Sequence, residues 1–100
     1  MLPKYQPPAH PGKILLNEFL KPLGLPQEQF AKHLDGGWTQ SKVSEIITGK
    51  RGITVATALD FADAFGTSAQ FWVNLQSAYD LWYAKQTHES IPLLPVLKVI

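Results

Sequence analysis

From Pro26 to Arg51 the chain reads PQEQFAKHLDGGWTQSKVSEIITGKR, and no other stretch restricts the possible folds as strongly. Phe30, Ala31 and Leu34 fall on one face of a helix, and Val43, Ile46 and Ile47 do the same one segment later. Between the two stripes stand Gly36 and Gly37, which let the chain reverse where a residue with a Cβ resists it. Thr39 occupies the N-cap position of the second helix and Gly49 the position just past its end. Two short amphipathic helices, a glycine-containing turn and a basic loop form a helix-turn-helix, the unit that delivers one helix to the DNA major groove.

The rest of the chain is compatible with a single small domain around that unit. At 100 residues and 45% apolar it has enough material for one core and is too apolar to be disordered throughout. It has no cysteine, which removes a disulfide frame, a thiol nucleophile and a thiolate zinc site. No apolar run approaches the ~18 residues of a membrane span, and the first residues lack the basic start and apolar centre of a signal peptide. The expectation is a soluble cytoplasmic protein with no membrane association. Net charge is only +1, but residues 1 to 52 hold seven Lys/Arg against four Asp/Glu, whereas residues 53 to 84 hold three Asp and neither Lys nor Arg. A basic front and an acidic back suit a protein that turns one face to phosphates.

Residues 1–9, with three prolines, read as a flexible arm, residues 10–85 as the helical domain, and 86–100 as an apolar extended tail in which Pro92 and Pro95 exclude helix. Pro11 suits the first position of an opening helix whose apolar side is Ile14, Leu15, Phe19 and Leu23, with Pro22, Gly24 and Pro26 ending it. Beyond the motif, Thr54 caps a fourth helix with the stripe Val55, Ala58, Leu59, Ala62 and Phe65, closed by Gly66. Thr67-Ser68-Ala69-Gln70 has the form of a capping box and predicts a fifth helix from about residue 68 to 85. Phe71, Trp72, Leu75, Tyr79, Trp82 and Tyr83 cover more of that helix than one stripe requires. The expected class is therefore all-α, with five helices and the motif at helices two and three.

That arrangement resembles the lambda-repressor-like DNA-binding domain, the XRE family. The segments HPGKILLNEFLKPLGLPQEQFAKHL and SEIITGKRGITVATALDFADAFGTSAQFWVNLQSAYDL are similar to the HigA (VapI-related) group of antitoxins over roughly residues 9 to 84. The GKRGIT loop and the GTSAQFWVNLQ helix start are the specific parts. The resemblance implies a homodimer that binds double-stranded operator DNA upstream of its own operon and neutralises a HigB-type toxin, an mRNA-cleaving ribonuclease. Two features depart from the group. The turn Asp35-Gly36-Gly37-Trp38 is about two residues longer than the usual L-G-V-S connection, and Pro26 replaces a Ser, Thr or Asn cap, forfeiting about 1 kcal/mol.

On a helix in the major groove, the N-terminal residues and those one turn further along reach base edges. Here those are Gln40, Ser41 and Glu45, with Lys42 and Ser44 beside them. Gln40 can pair with adenine N6 and N7, and Glu45 can accept from cytosine N4. Gln27 resembles the group's glutamine that holds a phosphate, and Thr39, Thr48, Lys50 and Arg51 stand where phosphate contacts are expected. One protomer reads too few base pairs for useful specificity, so a dimer is expected, with Trp72, Tyr79, Trp82 and Tyr83 as its surface. His10, His33 and His88 lie far apart and belong to no nucleophile or metal motif, so neither catalysis, a metal nor a cofactor is expected. The rival function is a stand-alone, phage-type repressor without a toxin partner.

Overall fold

The computed structural model describes residues 6–97. Five helices form, and no strand occurs among the described residues. Helix α1 runs without interruption through Pro11–Ile14, a π-helical turn Leu15–Leu20, and Lys21–Leu23. It is followed by α2 (Gln27–Leu34), α3 (Gln40–Ile47), α4 (Val55–Phe65) and α5 (Ala69–Thr87).

Helix α1 corrects two expectations. Pro22 does not end it; the chain remains helical until Gly24 adopts the left-handed conformation at φ 61°. The reason lies in the π turn, where the Lys21 N–H reaches back to the Leu16 carbonyl. That wider winding relieves the proline ring of its clash with the preceding turn. The same winding changes which residues share a face. Leu15 and Leu20, five apart, are both buried, whereas Leu23 is 64% exposed.

The core is largely aromatic. Trp72 is fully buried, with Phe19 and Phe61 each 5.1 Å away between ring centroids and Phe65 at 6.0 Å. Phe30 stacks on Phe65 at 5.1 Å and closes the cluster from α2. Trp72 was expected at a dimer surface with Phe71 inside, and the structure reverses the two. Phe71 is 37% exposed, while the Trp72 indole N–H donates to Thr67 Oγ1 at 2.8 Å inside the domain. Thr67 is therefore not the helix cap. Ser68 takes that place, accepting from the Phe71 N–H at 3.0 Å, and Gln70 bonds Asn74, so the expected capping box does not form.

In α4 the buried face is Ala58 and Phe61, with Val55 and Leu59 exposed at 67% and 54%. Choosing the stripe one residue out of phase omitted Phe61, the residue that meets Trp72. Helix α5 continues two residues further than expected, to Thr87. Pro95–Leu97 makes a single 3-10 turn, closed by the Leu97 N–H on Leu94 O at 3.0 Å, so proline at the first position starts a short helical turn there. Of the expected arm and tail, residues 1–5 and 98–100 lie outside the described residues.

Helices α1 and α3 approach unusually closely. A Cβ added to Gly12 would stand 1.8 Å from the Ile46 carbonyl oxygen, so only glycine permits this packing. His10 caps α1 there, its Nδ1 accepting from the Gly12 N–H at 2.9 Å. Its ring meets the edge of Tyr79 at 4.9 Å. Burial pushes the imidazole pKa below the ordinary 6.5, with the Asp80 charge opposing that shift. Gln76 secures the other end of the connection by accepting the Ile53 N–H at 2.7 Å.

Candidate nucleic-acid interface

The geometry of the candidate surface follows from how α3 is buried. Val43 and Ile46 are fully enclosed, which leaves Gln40, Ser41, Ser44 and Glu45 on the opposite side, lining one open surface hollow. Gln40 and Ser41 are the exposed pair at the N-terminal end, and Ser44 and Glu45 are half-buried behind them. Thr39 caps the helix as expected, its hydroxyl oxygen accepting from the Lys42 N–H at 3.2 Å. Lys42 does not point out with the others. Its ammonium turns back to donate to the Gly37 carbonyl at 2.9 Å, tying the helix to the turn before it.

That turn spans five residues between α2 and α3, and three of them have positive φ: Asp35 at 57°, Gly36 at 51° and Gly37 at 88°. It is closed by the Trp38 N–H on Asp35 O at 2.8 Å. The Trp38 ring rests on Phe61 at 5.6 Å, and its indole N–H donates to Asp60 Oδ2 on α4 at 2.8 Å. Neither residue stood among the expected functional ones. A large aromatic in an otherwise polar, glycine-rich turn was the available signal for Trp38; nothing local marked Asp60.

Past the C-terminal end of α3, the backbone wraps back on the helix. The Lys50 and Arg51 N–H groups both donate to Glu45 O, at 2.8 and 3.1 Å. Arg51 Nε and Nη2 also donate to a single Glu45 carboxylate oxygen, at 2.9 and 2.7 Å. A residue expected to read a base and a residue expected to hold a phosphate thus bind each other. The pair is about half exposed, a setting in which such bridges contribute roughly 0 to 1 kcal/mol, so polyanion can compete for Arg51. Thr48 directs its hydroxyl to the Ser44 and Glu45 carbonyls at 3.0 and 3.3 Å. Lys50 is exposed, and Gln27 is half-buried at the first position of α2.

Tyr79, Trp82 and Tyr83 run along the second half of α5. Tyr79 lies between His10 and Tyr83, whose ring is 4.7 Å away, and Tyr83 and Leu81 are exposed. Among the described residues, no three His, Asp or Glu side chains come together to hold a metal ion, and no helix is long and apolar enough to cross a membrane.

Residues 16–72 match the helix-turn-helix family. The chain is 46% identical over 88 residues to virulence-associated protein I of Dichelobacter nodosus, covering 88% of this chain and 80% of that protein. It is 33% identical over 82 residues to antitoxin HigA-1 of Vibrio cholerae, covering 82% and 75% of the two. Among solved structures it is similar to the Pseudomonas aeruginosa antitoxin HigA with the higBA promoter, at a TM-score of 0.77 and 39% identity, over 87% of this chain and 99% of that one.

Proposed function

The chain belongs to the helix-turn-helix family that includes virulence-associated protein I and the HigA antitoxins, and from that premise we propose that it is the antitoxin of a type II toxin–antitoxin module. It binds operator DNA as a dimer, represses its own operon, and neutralises a HigB-type ribonuclease by holding it. It works by binding and not by catalysis, in the cytoplasm where its DNA lies. The observation that carries this reading is the outward row Gln40, Ser41, Ser44 and Glu45 at the leading end of α3, backed by the buried Val43 and Ile46. A relative solved with its promoter supports it from outside.

In this reading Gln40 donates to and accepts from an adenine edge, and Ser41 and Ser44 adapt to either partner. Glu45 accepts from a cytosine amino group when Arg51 transfers to a phosphate. Gln27, Thr39, Thr48, Lys50 and Arg51 hold the backbone, with the N-terminal N–H groups of α2 assisting Gln27. Tyr79, Trp82 and Tyr83 join two protomers so that their α3 helices enter successive major grooves, about 34 to 36 Å apart. If each protomer neutralises about three phosphates, the logarithm of the binding constant falls with the logarithm of salt at a slope near −5.

The test is a mobility-shift titration on the DNA upstream of the chain's own gene, beside a scrambled duplex. Gln40→Ala is expected to relax discrimination at one base pair by about 1 to 3 kcal/mol, and Arg51→Ala to weaken binding to every sequence and flatten the salt slope. Equal affinity for both duplexes rules the repressor role out. Co-expression with the product of the adjacent gene tests the second half: rescue from growth arrest and co-purification support an antitoxin, and their absence leaves a stand-alone repressor.

A further inference from the structure

The two ends of α3 have different supports. Its C-terminal end is locked by backbone contact, with Ile46 against Gly12 of α1, and α2 packs along its side. The N-terminal end, which carries Gln40 and Ser41, is reached from α4 through one residue of the lengthened turn: Trp38, seated on Phe61 and bonded through its indole N–H to Asp60 Oδ2 at 2.8 Å. Lys42 passes that anchorage to the helix by donating to Gly37 O at 2.9 Å, and the Thr39 cap adds a second tie at 3.2 Å. The chain of connections runs from Asp60 through Trp38 and the turn to the first turn of α3.

We infer that Trp38 and Asp60 form a strut that sets the tilt of α3 and so the depth at which Gln40 and Ser41 meet base edges. Both are positioning residues for sequence discrimination. The inference rests on the DNA-binding reading above. A helix pivoting about a fixed C-terminal end moves its N-terminal side chains most, and a displacement of about 1 Å at a hydrogen-bonding group is enough to lose a directed bond. Contacts to phosphates tolerate such a shift far better, because they depend mainly on charge. The strut therefore governs the ratio of operator to non-operator affinity and leaves the salt dependence alone. It also accounts for the extra residues of the turn, which carry Trp38 out to α4.

The experiment compares wild type, Trp38→Phe, Asp60→Ala, Asp60→Asn and the Trp38→Phe/Asp60→Ala double variant. Each is titrated against the duplex upstream of its own gene and a scrambled duplex at several salt concentrations, with thermal unfolding recorded in parallel. Trp38→Phe keeps a ring on Phe61 and loses only the donor, so its fold is retained. Trp38→Phe and Asp60→Ala are each expected to reduce the operator/scrambled ratio about tenfold with the salt slope unchanged, in keeping with one lost hydrogen bond to a charged group. The double variant should fall no further than either single one, and Asp60→Asn, which retains an acceptor oxygen, should recover most of the ratio. An unchanged ratio in folded Trp38→Phe and Asp60→Ala overturns the inference, as does an equal fall on both duplexes. A wild-type ratio of one overturns the DNA-binding reading itself, and the inference with it.

Discussion

The two ends of the recognition helix α3 are fixed by opposite kinds of force. Its C-terminal end is a steric fit among His10, Gly12, Ile46 and Tyr79, almost without solvent. Its N-terminal end is a set of exposed polar ties through Thr39, Lys42, Trp38 and Asp60. Close packing is stiff and expensive to disturb, because neighbouring atoms have nowhere to go. Hydrogen bonds at a surface contribute about 1 kcal/mol net and can yield. The molecule holds the helix rigidly where it touches the domain and adjustably where it faces its target.

The contrast is broken most directly at Gly12. Gly12→Ala places a methyl 1.8 Å from one backbone carbonyl oxygen, which no rotamer change can relieve. A loss of about 3 kcal/mol or more is expected, lowering the melting temperature by more than about 12 °C. A change of only a few degrees would mean that α1 slides freely over α3.

His10 is the next largest. His10→Ala removes the α1 cap and the contact with Tyr79, for about 1 to 2 kcal/mol by chemical denaturation. The same residue makes this end pH-sensitive. Its pKa is lowered in the fold, so the protein favours the neutral ring, whose Nδ1 can accept the Gly12 N–H. That contribution is complete above the ordinary value of 6.5 and is lost as the pH falls through the lower folded value. Melting temperature followed against pH should therefore drop on acidification more steeply in wild type than in His10→Asn, which can still cap the helix. Parallel curves would remove His10 as the cause.

At the opposite end the effects shrink. Thr39→Ala should cost about 1 kcal/mol of stability through the lost cap, and should lower operator affinity more than affinity for scrambled DNA. Lys42→Ala should cost less than about 0.5 kcal/mol, because its bond is exposed. If its ammonium stays on Gly37 O in the complex, the salt slope is unchanged; a slope shallower by about 1 would show that it has moved to a phosphate.

Which of these features could be read in the sequence depended on distance along the chain. The caps at Thr39 and Thr54 were legible, because each hydroxyl meets an N–H three residues on. So was the outward row of α3, because Val43 and Ile46 fix its phase. Trp72 and Phe71 were exchanged because adjacent aromatics on a helix with few polar positions fit either orientation, and the burying partners come from α1 and α4. Phe61 was passed over for the same reason, being one residue from a plausible stripe. Asp60 and Trp38 are 22 residues apart, and the closeness of Gly12 to Ile46 exists only once two helices are packed. Local rules carry no information on such pairings. Residue roles toward DNA were separable on paper, yet Glu45 and Arg51 occupy each other in the folded chain.

The π-helical turn of α1 has an evolutionary consequence. A π turn contains one residue more than the α-helical path it replaces, so it is an insertion absorbed without a loop. Losing one residue between Leu15 and Lys21 would rewind the helix to its regular pitch and carry every later side chain round by about 100°. Leu20 would leave the core, and Pro22 would again collide with the turn before it. The extra residue, the five-residue leucine spacing and the internal proline are thus bound together as one inherited unit, and a lineage that drops any of them must replace all three.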